Sequence, residues 1–412
     1  YELQYRKSFI QNTKHLVEVN RLDKKLLSFD LKKLSEALIL DNDFKFKYLG
    51  IQTLTDRYFI REEGKIMEAP QCFWMRVAMG LAINEKDKDD WAIKFYGLIS
   101  SLLYTPSTPT LFNSGTTHSQ LSSCYLNTFD DSIDGIFDGA WQEARKSKFA
   151  GGLGLDVTPF RSTGSYITGT NGISSGLVPW LKIYNDLLIA VNQGGKRPGA
   201  GCAYLEPWHL DYEDFLNLRR NTGDERLRCY DLNTASWIPD IFMRRVQEEG
   251  DWYFFDPHEC HDLHDSFGED FDQKYEAYCQ KAEAGKLKSF RKIAAKDLWK
   301  KMLKVLFETS HPWNTFKDPC NIRYTNQHEG IVHSSNLCTE ITLHTKASSY
   351  SSGEKTTIGE TAVCNLGSVN LVNHLHEIYN TNGELKGTDI CFTKLKETIG
   401  VAIRMLDNVI DL

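Results

Sequence analysis

Residues 334–341 read SSNLCTEI, and they place one thiol, Cys338, between an amide, Asn336, and a carboxylate, Glu340. In an extended segment alternate side chains share a face, so these three side chains would project together. A sulfur that approaches a carbon, a carboxylate that takes a hydroxyl proton and an amide that holds hydroxyls suit radical or acid/base chemistry on a hydroxylated substrate. The alternative is a half-buried strand with one inert cysteine, since free cysteine is among the most buried residue types.

The length, composition and net charge of the chain limit the kinds of protein it can be. The chain has 412 residues, 41% hydrophobic and 25% charged, which indicates a globular protein of two or three domains, or one large α/β barrel with a helical appendage. A net charge of -7 argues against a general nucleic-acid surface. The sequence has no run of about 20 apolar residues, and its start does not resemble a signal peptide. We therefore expect a cytoplasmic protein that binds neither membrane nor nucleic acid.

The ten cysteines are scattered along the chain without a C-x-x-C pair. This pattern indicates neither a zinc site nor a disulfide framework, so we expect mostly reduced thiols. The pattern leaves open that two or three of these cysteines carry out redox chemistry. The chain starts without methionine and stops within the apolar pattern of a helix, which predicts a fragment or one part of a protein made in pieces.

The pattern of apolar residues along the sequence changes near residue 105. Before it, apolar residues recur at three-to-four spacing, which predicts a mainly helical N-terminal domain over 1–105. After it, short apolar strands, Gly-rich loops and amphipathic helices indicate an α/β architecture over 106–412. At the boundary, residues 105–110 read TPSTPT, and their prolines predict a rigid turn rather than a central strand.

A second functional signal is the loop 193–201, which reads QGGKRPGAG. Two cations among glycines make an anion-seeking segment, because glycine amides form a nest and arginine can fork onto phosphate. Upstream, Asp131 and Ser132 open a predicted helix, where an acidic or hydroxyl residue caps the N-terminus. Arg161 lies in a long polar loop further along the chain. The alternatives are that both loops are simply solvated and that Asp131 and Ser132 only cap the helix.

Four stretches form one recognisable set. They are NLCTE at 336–340, QLSSCYL at 120–126, QGGKRPGA at 193–200 and AVCNL at 362–366. Together they resemble the large, catalytic subunit of ribonucleotide reductase. The resemblance is highly specific, runs from about residue 44 to the last residue and is closest to the class I enzymes. It implies part of a ten-stranded α/β barrel with a central finger loop at about 331–345, after a mainly helical domain.

The resemblance implies roles in reducing ribonucleoside diphosphates. Cys338 becomes a thiyl radical that removes the 3′ hydrogen, Glu340 takes the 3′ hydroxyl proton and Asn336 orients the hydroxyls. Cys124 and Cys364 then supply two electrons and form a disulfide, which requires Cα atoms roughly 4.4–6.8 Å apart. The implied substrate contacts are Thr108, Ser123, Gly152, Asn336 and Glu340, and the implied effector contacts are Asp131, Ser132, Arg161, Gln193, Lys196 and Arg197.

The resemblance also implies partners outside this chain. A metal-containing small subunit supplies the radical, and dNTP or ATP effectors bind with Mg²⁺, while the chain itself holds no cofactor. The family's phosphate loop, radical-delivering tyrosine pair and two-cysteine tail lie in a later segment, so we expect the chain to be inactive without a C-terminal portion, which could be a separate chain. Thioredoxin or glutaredoxin is the expected reductant. Dimers are expected through helices near 133–149 and 177–191.

Two other functions stay open from the sequence. The first is an adenosylcobalamin-dependent class II reductase, which differs mainly in segments outside this chain. The second is a non-catalytic regulatory or assembly fragment that binds nucleotides around Asp131, Arg161 and Lys196. That fragment would bind deoxynucleotides regardless of Cys338→Ala and would show no turnover with any partner.

Overall fold

The structure is a computed structural model that describes residues 1–191 and 198–412. The predicted effector residues Gln193, Lys196 and Arg197 lie outside the described residues. Two compact units are present, Tyr1–Ser123 with Asn365–Leu412 as the first and Cys124–Cys364 as the second. Throughout the described ranges, no helix combines the length and the apolar character needed to cross a membrane.

Helices and strands alternate through most of the described chain. In chain order the α-helices are α1 (Glu2–Glu18), α2 (Leu31–Glu36), α3 (Tyr48–Thr53), α4 (Pro70–Leu81), α5 (Lys88–Ser100), α6 (Thr108–Asn113), α7 (Ile133–Lys148), α8 (Leu177–Ala190), α9 (Tyr212–Leu216), α10 (Asp240–Gln247), α11 (Gly268–Glu283), α12 (Ala295–Thr309), α13 (Lys317–Ile322) and α14 (Phe392–Ile410). The strands are β1 (Arg61–Glu62), β2 (Lys65–Ile66), β3 (Tyr104–Pro106), β4 (Cys124–Thr128), β5 (Gly152–Asp156), β6 (Thr163–Ile167), β7 (Gly172–Ser175), β8 (Gly201–Leu205), β9 (Asn233–Ile238), β10 (Asp251–Phe255), β11 (Phe290–Ala294), β12 (Trp313–Phe316), β13 (Ser349–Ser351), β14 (Glu354–Thr357), β15 (Ala362–Cys364), β16 (Gly367–Val369), β17 (Leu375–Tyr379) and β18 (Leu385–Ile390).

The first unit is mainly helical and has its own apolar core. Helix α4 is buried almost all round and packs against α5, as its continuous apolar sequence requires. Helix α14 adds Ala402, Met405 and Val409 to the same core. Because β16 also pairs with β3, the segment after residue 364 belongs to this unit. The units therefore divide after residues 123 and 364, whereas the sequence predicted one division at 105/106.

The proline-rich stretch at 105–110 is a strand followed by a helix, so the predicted rigid turn is wrong. Strand β3 is short and pairs only with β16 in a two-stranded sheet, a setting that tolerates Pro106. Helix α6 starts directly afterwards, with Pro109 in its first turn, where the missing N–H costs no helical hydrogen bond.

The second unit is built on a six-stranded sheet in the order β12-β9-β8-β5-β4-β15. The five strands from β12 to β4 are parallel, and β15 runs antiparallel to β4. Strands β5 and β8 are buried along their whole length, as expected of parallel strands covered on both faces. The helices and sheet build the large core on one side, which includes residues of α7, α8, α11 and α12. The predicted mixed α/β architecture after a helical region is confirmed, and the described part of the sheet is open at β12 and β15.

The other face of this sheet is covered by residues 331–345, the finger loop. Cys202 and Tyr204 of β8 and Trp237 of β9 form a small apolar cluster with Val332. Leu337 packs against the same cluster from the tip of the loop. The finger loop is therefore held against the strands that precede it in the chain.

Candidate active site

The tip of the finger loop is a tight turn and not the extended segment that the sequence predicted. The backbone N–H of Thr339 donates to the carbonyl oxygen of Asn336 at 3.3 Å, and Thr339 has a φ of +66°. The side-chain oxygen of Asn336 accepts from the backbone N–H groups of Glu340 at 3.1 Å and Ile341 at 3.2 Å. Asparagine favours such turns because its side chain satisfies nearby backbone groups. Strand alternation is therefore not what brings the amide and the carboxylate together.

Asn336 is the centre of the hydrogen-bond network at this tip. Its side chain is fully buried, and its Nδ2 donates to Oε1 of Glu340 at 2.9 Å and to Sγ of Cys124 at 3.1 Å. The hydroxyl of Tyr204 donates to the carbonyl oxygen of Asn336 at 2.6 Å. One amide thus fixes the carboxylate of the loop beside a thiol of the sheet.

Gly154 of β5 makes room for the finger loop. A Cβ at this position would lie 2.1 Å from the carbonyl oxygen of Ser335 and 2.9 Å from Cα of Asn336. Residues 149–156 read FAGGLGLD, and in the sequence such a glycine run indicates close approach of the backbone to a ligand. In the structure the chain that approaches Gly154 is the protein's own loop, and a glycine is required for that contact.

Cys124 and Cys364 face each other across the edge of the sheet. They are directly opposed residues of the antiparallel pair β4/β15, and both are free thiols. Opposed residues in such a pair have Cα atoms about 4.5–5.5 Å apart, which falls within the range for a disulfide. Gly152, a predicted substrate contact, is the partner of Cys124 on the other side, in β5.

The surroundings keep these two thiols protonated near neutral pH. Burial raises the pKa of Cys124 to about 12; Glu340, Cys338 and Cys364 add to this rise, and the hydrogen bond from Asn336 opposes it. Burial and Glu340 raise the pKa of Cys364 to about 11. Cys338 is exposed at the turn and lies close enough to contribute to the raised pKa of Cys124. The second unit thus gathers three sulfurs, one carboxylate and one amide.

The remaining predicted substrate residues, Thr108 and Ser123, belong to the first unit. Oγ1 of Thr108 lies 3.1 Å from the hydroxyl of Tyr58. The side chain of Ser123 is buried, and its hydroxyl has no hydrogen-bond partner among the described residues. A buried hydroxyl without a partner is costly, so a group that binds it would gain from doing so.

The predicted effector residues within the described chain meet at the start of α7. Nε of Arg161 donates to Oδ2 of Asp131 at 2.7 Å, and both side chains are about four-fifths buried. Burial raises the pKa of Asp131, and the contacts with Arg161 oppose that rise. Ser132 is the N-cap of α7 and accepts from the backbone N–H of Gly135 at 3.0 Å. The capping alternative is thus realised for Ser132, and Asp131 holds the arginine.

Comparison with known families covers nearly the whole chain. Residues 44–119 match the family described as "Ribonucleotide reductase, all-alpha domain". Residues 122–412 match the family described as "Ribonucleotide reductase, barrel domain". This chain belongs to the ribonucleotide reductase family.

Relatives of this reductase chain are named as alpha or large subunits. It is 55% identical over 384 residues to the ribonucleoside-diphosphate reductase subunit alpha of Chlamydia trachomatis serovar D, an alignment that covers 93% of this chain and 35% of that protein. It is 40% identical to the subunit alpha of Helicobacter pylori strain J99, over 93% of this chain and 52% of that protein. The large subunit of Vaccinia virus strain Copenhagen is also 40% identical, over 98% of this chain and 49% of the relative. The chain thus spans between about a third and a half of these relatives.

Sequence reasoning missed two residues that position the tip of the finger loop. Tyr204 holds the carbonyl oxygen of Asn336, and Gly154 admits the loop to the sheet. Both lie on strands whose sequences are apolar runs, and neither is at a regular spacing from residues 334–341. The glycine run around Gly154 was the only signal present, and it pointed to a ligand instead of the loop.

Proposed function

We propose that this chain forms part of the catalytic subunit of a class I ribonucleoside-diphosphate reductase, which converts ribonucleoside diphosphates to 2′-deoxyribonucleoside diphosphates. The observation that carries the proposal is the convergence of Asn336, Glu340 and Cys124 through one amide, with Cys364 opposite Cys124. An inert strand cysteine would not require this network. The family membership supports the same chemistry.

The proposed reaction assigns one task to each of these side chains. A thiyl radical on Cys338 removes the hydrogen atom from C3′ of the ribose, and Glu340 takes the proton of the 3′ hydroxyl. General base catalysis of this kind contributes about 10²- to 10⁴-fold in rate. Asn336 holds Glu340 in place by the 2.9 Å hydrogen bond, and it turns its second N–H from Cys124 to the substrate hydroxyls.

Reduction follows at the cysteine pair. One thiol of the pair Cys124 and Cys364 protonates the 2′ hydroxyl, which leaves as water. The pair then gives two electrons and its second proton to the sugar, so that a C2′–H bond replaces the C2′–O bond as the two sulfurs join in a disulfide. Glu340 returns its proton to the 3′ oxygen, and Cys338 returns a hydrogen atom to C3′, which regenerates its radical. The raised pKa values suit this step, because a thiol that stays protonated brings its proton with the electrons.

The proposal needs three partners. A metal-containing small subunit supplies the radical, and a C-terminal portion of the large subunit completes the substrate site. Thioredoxin or glutaredoxin resets the disulfide after each turnover. The chain covers only about a third to a half of these relatives, which supports the need for a further portion of the subunit.

We further propose that Asp131, Ser132 and Arg161 contribute to a site for dNTP or ATP with Mg²⁺, together with Gln193, Lys196 and Arg197. Arg161 is partly exposed and held by a single carboxylate, so a triphosphate could compete for it.

An exposed apolar stripe on α7 favours dimerisation. Ile133, Phe137 and Trp141 lie at i, i+4 and i+8 and are 68%, 50% and 59% exposed, which leaves an apolar stripe for a second copy. Helix α8 carries a further exposed apolar residue, Ile189.

The proposal is tested by mixing the pre-reduced chain with its C-terminal portion, the small subunit and a ribonucleoside diphosphate. Wild type should form deoxynucleotide and a disulfide between Cys124 and Cys364 in a single turnover, detected by peptide mass spectrometry. Cys338→Ser should abolish both, while Cys364→Ser should abolish the disulfide. Cys391→Ser is the matched control: Cys391 is the N-cap of α14, where serine is preferred, so both products should persist.

Four other results of this experiment would each contradict part of the proposal. Product from Cys338→Ser would refute the radical role of that thiol. Turnover by the chain alone would refute the need for a C-terminal portion. Activity that needs adenosylcobalamin instead of the small subunit would place the protein in class II. Nucleotide binding without turnover in the complete mixture would favour a regulatory or assembly role.

A further inference from the structure

A buried cluster of Asp156, His264 and His333 lies at the base of the finger loop. One side-chain ligand atom from each residue falls within 4.8 Å of the others. The side chains come from the end of β5, the residue after the short 3-10 helix His261–Leu263, and the start of the finger loop. The three residues are 0%, 7% and 4% exposed, and the two imidazole rings stack with centroids 4.0 Å apart.

The inner nitrogens of the two histidines differ in what they contact. Nε2 of His264 lies 2.9 Å from Oδ2 of Asp156, an ion-pair distance, although the angles fall outside strict hydrogen-bond geometry. Nδ1 of His333 is buried and has no hydrogen-bond partner in the described chain. Buried polar atoms are nearly always satisfied, so the open nitrogen of His333 beside a carboxylate and a second imidazole points to an occupant.

The other nitrogen of each histidine faces a carboxylate. Nδ1 of His264 lies 3.1 Å from Oε1 of Glu206, and Nε2 of His333 lies 3.1 Å from Oδ1 of Asp265. Glu206 is itself held by Nζ of Lys317 at 2.8 and 2.9 Å. This is the arrangement around histidines that bind metals, in which a carboxylate takes the outer N–H and leaves the inner nitrogen free to coordinate.

We propose that Asp156, His264 and His333 bind a divalent transition-metal ion of the zinc type. Two imidazole nitrogens and one carboxylate oxygen suit such an ion, with bonds of about 2.0–2.2 Å. Tetrahedral coordination at these lengths places ligand atoms about 3.3 Å apart, so the cluster must contract and the two stacked rings must turn apart before both nitrogens face one ion. Both histidines also line a cavity of about 790 Å³, which provides an entry path and space for a water as the fourth ligand.

The metal would fix the base of the finger loop to the sheet. His333 follows Val332 at the start of the buried part of the loop, and Asp156 ends the strand that contacts the loop at Gly154. A bond from each to the same ion ties the segment that carries Cys338 to β5 at a second point. The inference concerns binding and does not depend on turnover. The competing occupant is a proton held between Asp156 and His264, which needs no metal.

The first test measures metal content in the intact subunit that contains this chain. After treatment with a chelator and dialysis against micromolar Zn²⁺, elemental mass spectrometry should find one zinc per chain. His264→Gln and His333→Gln should each lose it. His261→Gln is the matched control, because this exposed histidine lines the same cavity but lies outside the cluster, and its zinc content should equal that of wild type.

Two further variants keep the inference testable if the glutamine variants fail to fold. His333→Cys replaces one ligand with another, so X-ray absorption should show a new zinc–sulfur distance of about 2.3 Å beside the wild-type nitrogen and oxygen distances of about 2.0–2.2 Å. Asp265→Ala removes only the outer carboxylate, from a side chain that is 72% exposed. It should weaken zinc binding about 10- to 100-fold in calorimetry.

The inference is overturned if wild type takes up no zinc under these conditions, which would leave the proton as the occupant. It is equally overturned if His264→Gln, in a folded protein, binds zinc as wild type does. A wild-type absorption spectrum dominated by sulfur would assign the metal to cysteines and would also overturn it.

Discussion

Replacing Gly154 with alanine tests how tightly the finger loop is held against the sheet. The new Cβ would lie 2.1 Å from the carbonyl oxygen of Ser335 and 2.9 Å from Cα of Asn336. Non-bonded contacts are most favourable at about 3.5–4.0 Å, so the loop must retreat by more than about 1 Å or β5 must bend. Overpacking of this kind lowers the free energy of unfolding by about 1–3 kcal/mol.

The displacement of the finger loop should also expose the thiol of Cys124. Nδ2 of Asn336 lies 3.1 Å from Sγ of Cys124, and a shift of about 1 Å breaks that contact and uncovers the sulfur. In the complete reductase a misplacement of this size should lower turnover about 10²-fold. The assays are urea denaturation followed by circular dichroism, the rate at which Cys124 reacts with a thiol reagent, and turnover in the reconstituted mixture.

Gly201→Ala is the matched control for this variant. Gly201 lies on the neighbouring strand β8, where a Cβ would meet Cδ1 of Leu188 at 3.2 Å, and the end of a leucine side chain can move. The control should cost less than about 1 kcal/mol. If Gly154→Ala unfolds at the wild-type urea concentration and leaves Cys124 as protected as before, the loop is not packed on β5 as described.

Three further predictions follow from single contacts. Burial, with help from a nearby carboxylate, raises the pKa of Cys364 to about 11, so its alkylation rate should rise about tenfold per unit between about pH 7 and 9, and a plateau in that range would contradict the raised pKa. Tyr204→Phe removes the 2.6 Å hydrogen bond to Asn336 and should lower the free energy of unfolding by about 0.5–1.5 kcal/mol in urea titrations; an unchanged midpoint would show that the bond adds nothing. Ser132→Ala removes the cap on Gly135 and should cost about 0.5–2 kcal/mol in thermal melts, whereas Ser132→Asn should restore most of the loss.

The helices show what a local pattern is able to predict. Helices expected near 133–149 and 177–191 occur at Ile133–Lys148 and Leu177–Ala190. Their hydrophobic periodicity involves residues only three or four positions apart, so the sequence carries it without knowledge of the rest of the fold. The turn at Asn336 shows the limit, because strand alternation was inferred for a segment whose asparagine side chain competes for the backbone N–H groups instead.

The sequence by itself determined the amphipathic helices, the short apolar strands and, through its motifs, the residues proposed for chemistry. Only the tertiary structure decided that Cys364 opposes Cys124, that Gly154 admits the loop and that Asp156, His264 and His333 converge. The three residues of the proposed metal site come from segments far apart in the sequence, so their spacing along the chain does not predict that they meet. Propensity and periodicity act over a few residues, whereas strand order and register set which remote side chains meet.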